Sequence, residues 1–509
     1  MIVNHYATQN KMKNCQSSDR GCPIKLITFL RKMPIMKKFI FLFILTSLCS
    51  AIHAQPDQQQ KIDSVCQLVR KFFNDKNVDQ LYSLSGKLFR KELSPDAFKN
   101  VCENNLFPLG EMKEVTFETF ANGISDYKTV FSSATLSLFI SLDDMDKLQT
   151  FLFKPYVDSK AKKDYQVPST NNLQSALDKK VDSAVQPYID LKVTTGLSIA
   201  ILKDGKVFYY GYGETAKGNK QIPNDQTIFE IGSISKTFTS ILFAEAVNAG
   251  KMKLDDPVNK YLPDSIPQLI YAGTPVTLKT LSNHSSGIPR MPTNFHPAEN
   301  ANPYKDYTDN DLFSFYKNFT PTRKPGDKYE YSNLAAGTLG VILEKLYKKS
   351  YEDLLVGNIC NPLGMNDTRQ FIKKNDSARF AKGYTEDGSY SSQWDFDALA
   401  PAGAIRSTAA DLVKYAEANL GDAPPPLKRA ITLTHEITFD KSGTKIGLAW
   451  HYIKPGNDPV LFHNGGTGGY RSYLAINLKK KFAVIILSNT SVGVEEPGNA
   501  LMKWLETNF

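Results

Sequence analysis

The stretch Phe229-Glu230-Ile231-Gly232-Ser233-Ile234-Ser235-Lys236-Thr237-Phe238 constrains this chain more than any other. Ile234, Phe238, Ile241 and Leu242 make an apolar stripe at helical spacing, and Gly250 stands where a C-terminal cap belongs. The spacing predicts a helix with Ser233 and Lys236 on one face of its mouth, because residues i and i+3 are neighbours. A serine hydroxyl becomes a nucleophile when something takes its proton, and a lysine can do so once burial or a cationic neighbour lowers its pKa. The helix N-terminus would favour the developing alkoxide. Alone, S-x-x-K is a common pattern that a capped surface helix explains equally well.

Two downstream segments change that balance. Tyr329-Glu330-Tyr331-Ser332-Asn333 follows Lys324-Pro325-Gly326-Asp327, whose Pro-Gly pair marks a loop. Tyr331 and Asn333 are expected to project from that loop. A phenol beside a cationic lysine can lose its proton below its usual pKa of about 10, and an asparagine amide offers a substrate amide both donor and acceptor. An ordinary loop tyrosine followed by a turn-forming Ser-Asn would read the same way. The other segment, Leu461-Phe462-His463-Asn464-Gly465-Gly466-Thr467-Gly468-Gly469-Tyr470, reads as a strand. Its glycines admit a substrate close to the backbone, and the N–H of Gly466 is available as an oxyanion donor. Phe482 to Leu487 is expected as the next strand.

S-x-x-K, then Y-x-N, then H-x-G resembles the serine β-lactamase and penicillin-binding protein superfamily, nearest to class C β-lactamases and the related esterases and D-amino-acid peptidases. Leu281-Ser282-Asn283-His284-Ser285-Ser286-Gly287-Ile288-Pro289, Asn361-Pro362-Leu363-Gly364-Met365 and Pro401-Ala402-Gly403-Ala404-Ile405-Arg406-Ser407-Thr408 also look like that family. The resemblance covers roughly residues 173–509. It implies that Ser233 attacks a carbonyl to form an acyl-enzyme that water hydrolyses, while Lys236 and Tyr331 share the proton traffic. Asn333 would orient the substrate amide, and the backbone N–H groups of Ser233 and Gly466 would hold the oxyanion, with Gly465 beside them. One such donor is typically worth about 3 kcal/mol of barrier.

The third motif departs from the commoner pattern, in which Lys-Thr-Gly or Lys-Ser-Gly stands where this chain has His463-Asn464-Gly465. A lysine is a permanent cation for a substrate carboxylate, whereas a histidine of ordinary pKa, about 6.5, is mostly neutral at pH 7. Neutral esters or amides are therefore expected over penicillins. Arg471 compensates if its guanidinium turns into the cleft, and is otherwise a solvated strand residue.

Of the +9 net charge, +7 lies in residues 1–54, so the remainder gives no case for nucleic acid. Met36-Lys37-Lys38, the apolar run from Phe39 to Leu48 and the small-residue end at Ala54 have the three parts of a secretory signal, which predicts an exported protein, periplasmic or extracellular. Met1 to Ile35 reads as an upstream extension. Leu48 before Cys49 disfavours lipidation, and the apolar run is short for a membrane span. Cleavage after Ala54 leaves Cys66, Cys102 and Cys360. Cys66 and Cys102 either pair or remain buried thiols. Neither the cysteine nor the histidine spacing resembles a metal site, and no cofactor is implied.

Residues 55–156 read as a separate small α+β domain. It opens with an amphipathic helix marked by Ile62, Val65, Cys66, Val69 and Phe72-Phe73, and strand-like segments follow. It resembles the nuclear-transport-factor-like modules that precede hydrolase domains, and it either binds an unidentified ligand or partner or merely packs. Residues 157–172 read as a linker. Beyond them, Asp204-Gly205 between two apolar runs signals a hairpin. The C-terminal strands would join it in an antiparallel sheet flanked by helices, with a helical subdomain from roughly 255–440. The expected fold is this α/β, β-lactamase/transpeptidase-like sandwich. Three functions fit the chain: a hydrolase of a small ester, peptide or β-lactam; a penicillin-binding sensor that deacylates slowly; and an interaction protein on an inactive scaffold.

Overall fold

A computed structural model describes residues 58–508 apart from 122 and 159, so the leader and upstream extension lie outside the described residues. The chain divides into two compact units at residues 158 and 159. In the first, helices precede strands. Residues 58–74 form α1, and Val78–Ser83 (α2), Lys87–Glu92 (α3) and Pro95–Val101 (α4) follow. Met112–Ala121 (β1), Ile124–Phe131 (β2), Thr135–Leu142 (β3) and Leu148–Pro155 (β4) then make an antiparallel meander. Ile62, Cys66, Val69 and Phe73 recur at helical spacing along α1 and pack with Tyr127, Phe131, Leu138 and Ile140 from the sheet. Cys66 and Cys102 do not pair: both are buried free thiols, each pushed up to about 12 by burial.

The second unit is built on one sheet of eight antiparallel strands. Gly196–Lys203 (β5) and Lys206–Gly213 (β6) form the expected hairpin, and both turn residues, Asp204 (φ 51°) and Gly205 (φ 70°), take the positive φ that such a tight turn requires. Phe439–Lys441 (β7), Thr444–Ile446 (β8), His451–Ile453 (β9), Val460–Gly466 (β10), Arg471–Asn477 (β11) and Phe482–Ser488 (β12) complete it, in the order β7-β8-β9-β10-β11-β12-β5-β6. Alternation along the strands gives the sheet two apolar faces. Leu197, Ile199, Ile201, Tyr473, Val484 and Ile486 pack with the helices Ala176–Ile189 (α5) and Glu495–Asn508 (α10). Ala200, Leu202, Leu474, Ile476, Ile485 and Leu487 belong to the larger core shared with Ser235–Asn248 (α6), Asn333–Tyr347 (α7), Ala409–Asn419 (α8) and Pro425–His435 (α9).

Two local expectations change. The helix after Ser233 is buried on every side rather than along one stripe, so it runs through the core, with its hydroxyls bonded inside: Thr237 Oγ1 donates to Ile234 O at 2.7 Å and Thr239 Oγ1 to Pro401 O at 2.8 Å. The segment read as a linker is bonded along the second unit. Lys192 N donates to Ala161 O, Gly213 N to Pro168 O, and Thr170 N to Gly211 O, each within 3.0 Å. Polar, turn-rich composition describes such a strap as well as it describes a free tether. Among the described residues no helix is long and apolar enough to cross a membrane.

Candidate active site

Ser233 lies in a short 3-10 turn, Gly232–Ile234, that runs into α6. The turn is held by the core: Ile231 N donates to Ile405 O at 2.9 Å, and Glu230 pairs in a ladder with Arg406. Gly232 has a φ of +50°, and a Cβ there would lie 2.6 Å from Gly466 N, so only glycine lets the turn meet β10. A Cβ on Gly465 would lie 1.9 Å from Ile231 O. The third motif's glycines thus bring the backbone of Gly465 and Gly466 against the nucleophile turn. From residue 227 to residue 244, Ser233 alone is not fully buried. Ser235 is sealed in, its Oγ accepting from Ile405 N at 3.1 Å.

Lys236 is buried, with Nζ 2.9 Å from Ser233 Oγ and 2.6 Å from Ala402 O, to which it donates. Burial, aided by the positive charge of Arg290, holds it well below the ordinary lysine pKa. The shift is in the direction that favours the uncharged amine, the form a base must take. Its Nζ stands 4.8 Å from the centroid of the Tyr331 ring. The expectation of an ionised Tyr331 is corrected: burial pushes its phenol up to about 12, against the weaker pull of Arg290 and of a hydrogen bond with Ser233. Burial disfavours the charged form of both groups, so it lowers the lysine and raises the phenol together.

Asn333 is not on a loop. Ser332 caps α7, its Oγ accepting from Ala335 N at 2.9 Å and donating to Pro289 O at 2.7 Å, and Asn333 is the first helical residue. Its amide points toward Met291, with Nδ2 3.6 Å from Sδ.

His463 is 1 % exposed on β10, and burial holds its pKa well below the usual value, so it is neutral. Nδ1 is 2.7 Å from Asn464 O and must carry the proton that this carbonyl accepts. Arg471 takes neither expected position: Nη1 donates to Thr467 O and Tyr470 O, both at 2.9 Å, and so braces the turn after Gly466.

The structure adds four residues to which the sequence reading gave no role. The Arg290 guanidinium lies 5.0 Å from the centroid of the Tyr331 ring, and its carbonyl accepts from Asn333 N at 3.0 Å. His284 packs on Tyr331 with centroids 4.5 Å apart, and Nδ1 accepts from Ser332 N at 3.2 Å. His451 lies 5.3 Å from His463, its Nε2 3.0 Å from the hydroxyl of Tyr329, and burial lowers it to about 4. Tyr304, stacked on Phe396 at 4.6 Å, completes an aromatic wall beside Met291. Arg290 directly follows Ser286-Gly287-Ile288-Pro289, and His284 sits inside the family-like stretch around it, so a signal existed for both. His451 and Tyr304 carry no local pattern.

The β-lactamase family model matches residues 181–508. A β-lactamase from Pseudomonas fluorescens is 30% identical over 346 residues, which cover 61% of this chain and 92% of that protein. Among solved structures, a D-alanine carboxypeptidase from Burkholderia cenocepacia is similar with a TM-score of 0.57 and 28% identity, covering 65% of this chain and 99% of that one. A class C β-lactamase has a TM-score of 0.59 and 25% identity, covering 67% and 98%. The family match spans both sides of the sheet and all three motifs, and the chain belongs to the serine β-lactamase superfamily as a serine hydrolase.

Proposed function

We propose that this protein is an exported hydrolase that acylates and deacylates Ser233, acting on esters or D-amino-acid amides in preference to penicillins. The observation that carries the reading is the partly exposed Ser233 hydroxyl 2.9 Å from a buried lysine whose pKa burial lowers. An uncharged amine has a lone pair as well as N–H bonds. With one N–H given to Ala402, the lone pair takes the Ser233 proton as Oγ bonds to the substrate carbonyl. The neutral Tyr331 phenol passes its proton to the leaving group and recovers one from Lys236, which returns the amine to its starting state. Water then attacks the acyl-enzyme, its proton moves to Lys236 through Tyr331, and Ser233 leaves with a proton. Backbone N–H groups at Ser233 and Gly466 hold the oxyanion without reorganising. Asn333 orients the acyl side.

The preference for uncharged substrates follows from His463. A charge-assisted hydrogen bond contributes about 1.5–3 kcal/mol against about 1 for a neutral one, and a carboxylate gains no charge-assisted bond from His463. A second reading, hydrolysis of β-lactams or of D-alanine peptides, draws on the names of the relatives. The test is a panel of nitrocefin, short-chain nitrophenyl esters and D-Ala-D-Ala peptides, with mass spectrometry after a fluorophosphonate probe. Esters should be turned over fastest and the label should sit on Ser233 alone. A label that survives Ser233→Ala would end the mechanism. Nitrocefin hydrolysis at β-lactamase-like efficiency with esters ignored would end the preference. His463→Lys should raise β-lactam turnover relative to ester turnover.

A further inference from the structure

His463 is held in one tautomer. The carbonyl of Asn464 can only accept, so Nδ1 bears the hydrogen and Nε2 presents a lone pair. That Nε2 is buried and has no partner. Lys236 donates to Ala402 O and Tyr329 bonds His451, and among the described residues no neighbouring donor bonds Nε2 of His463. The neighbouring imidazole of His284 uses Nδ1 to accept from Ser332 N, so its hydrogen sits on Nε2, which is likewise buried and bonded neither to His463 nor to any other described residue. His451, the closest ring at 5.3 Å, offers no free hydrogen, since its other nitrogen bonds the Ala449 backbone. A buried acceptor without a donor is costly, and a substrate that supplies the donor relieves that cost.

Building on the serine-hydrolase reading, we infer that His463 Nε2 accepts a hydrogen bond from the substrate, so that the enzyme selects esters or amides bearing an O–H or N–H group at that point. The polarity of recognition is therefore the reverse of a lysine's. A lysine at this position can only donate and suits a carboxylate. Here a carboxylate would set lone pair against lone pair, and a hydroxyl or amide N–H fits.

The charged and titratable groups facing this ring are Lys236, Tyr331, His451 and His284, with the exposed Arg290 beyond Tyr331. Burial lowers the histidines from values already below neutral pH and raises Tyr331, so the lone pair of His463 is present in the working enzyme.

The experiment uses the full chain and a matched series of phenyl esters. Each carries hydroxymethyl, methoxymethyl or carboxylate at the ortho, meta or para position, and a parallel series carries the same groups on the acyl chain. Hydroxymethyl and methoxymethyl differ by the donor hydrogen, so their kcat/KM ratio isolates it. At one position or more the ratio should reach about fivefold, the value of one ordinary hydrogen bond, and the carboxylate ester should be slowest. In His463→Met that ratio should fall to about one, whatever happens to the absolute rate. A ratio near one at every position, a carboxylate that is fastest, or discrimination that persists in His463→Met would each overturn the inference. If the variant fails to fold, the ratios in the unaltered protein decide. Turnover of the unsubstituted ester with Ser233 labelled, but without discrimination, would remove this inference and leave the hydrolase reading standing. No turnover of any ester would remove both.

Discussion

Lys236 and Tyr331 occupy one water-poor pocket, and burial moves them in opposite directions because it always disfavours the charged form. The amine is shifted toward its basic, uncharged form, and the phenol toward its protonated form. Under the proposed mechanism the two form one proton-handling unit, so Lys236→Ala and Tyr331→Phe should each lower ester turnover by roughly a hundredfold or more. The double variant should be little worse than either single one, because groups acting as a unit are not additive. Full additivity in kcat/KM would assign them to separate steps. The sign of the pH dependence follows as well. The active form of Lys236 is unprotonated, so the rate with a neutral ester should fall as pH drops through the lysine's lowered pKa. A limb at the ordinary lysine pKa, near 10.4, would contradict the burial argument.

Three elements deliver these groups: the 3-10 turn before α6, the N-terminus of α7, and the glycine end of β10. Ser332 ties one of them to the segment that carries Arg290, since its hydroxyl caps α7 and also donates to Pro289 O, one residue before Arg290. Ser332→Ala should cost about 1 kcal/mol in denaturant unfolding, the usual value of a cap. Its effect on kcat/KM should be larger than that loss implies, because Tyr331 and Asn333 flank the cap; equal losses would make Ser332 merely structural. The sequence announced these elements where chemistry and spacing coincide, as in Ser233 and Lys236 one helical turn apart, or in the glycines that close approach demands. It was silent where partners meet only through the fold. His284, His451 and His463 come from distant segments, and their protonation depends on burial that no local pattern records. Asn333 was misjudged for a related reason: the Ser-Asn pair that suggests a turn is also the start of a capped helix.

Every residue proposed for chemistry lies beyond residue 230, within the second unit. A chain beginning at residue 160 should therefore fold and turn over small esters at a rate close to that of the full protein. The start falls there because the strap at residues 161–170 is bonded to the second unit. A shortened chain that is folded by circular dichroism yet inactive would make the first unit part of the working enzyme.

The sheet order also sets a schedule for the chain's own assembly. The hairpin β5-β6 comes early in the second unit but pairs only with β12, Lys203 opposite Phe482, and α5 packs beside the last helix, α10. Non-local pairing of this kind is slow, because loop entropy is spent before any contact repays it. Until the final strand has left the ribosome, β5 and β6 can bond only to each other, and β5 lacks its partner on the other side. The sheet of the second unit therefore cannot close until nearly the whole chain has been made, and a sheet still unclosed is one that can be threaded through a narrow pore.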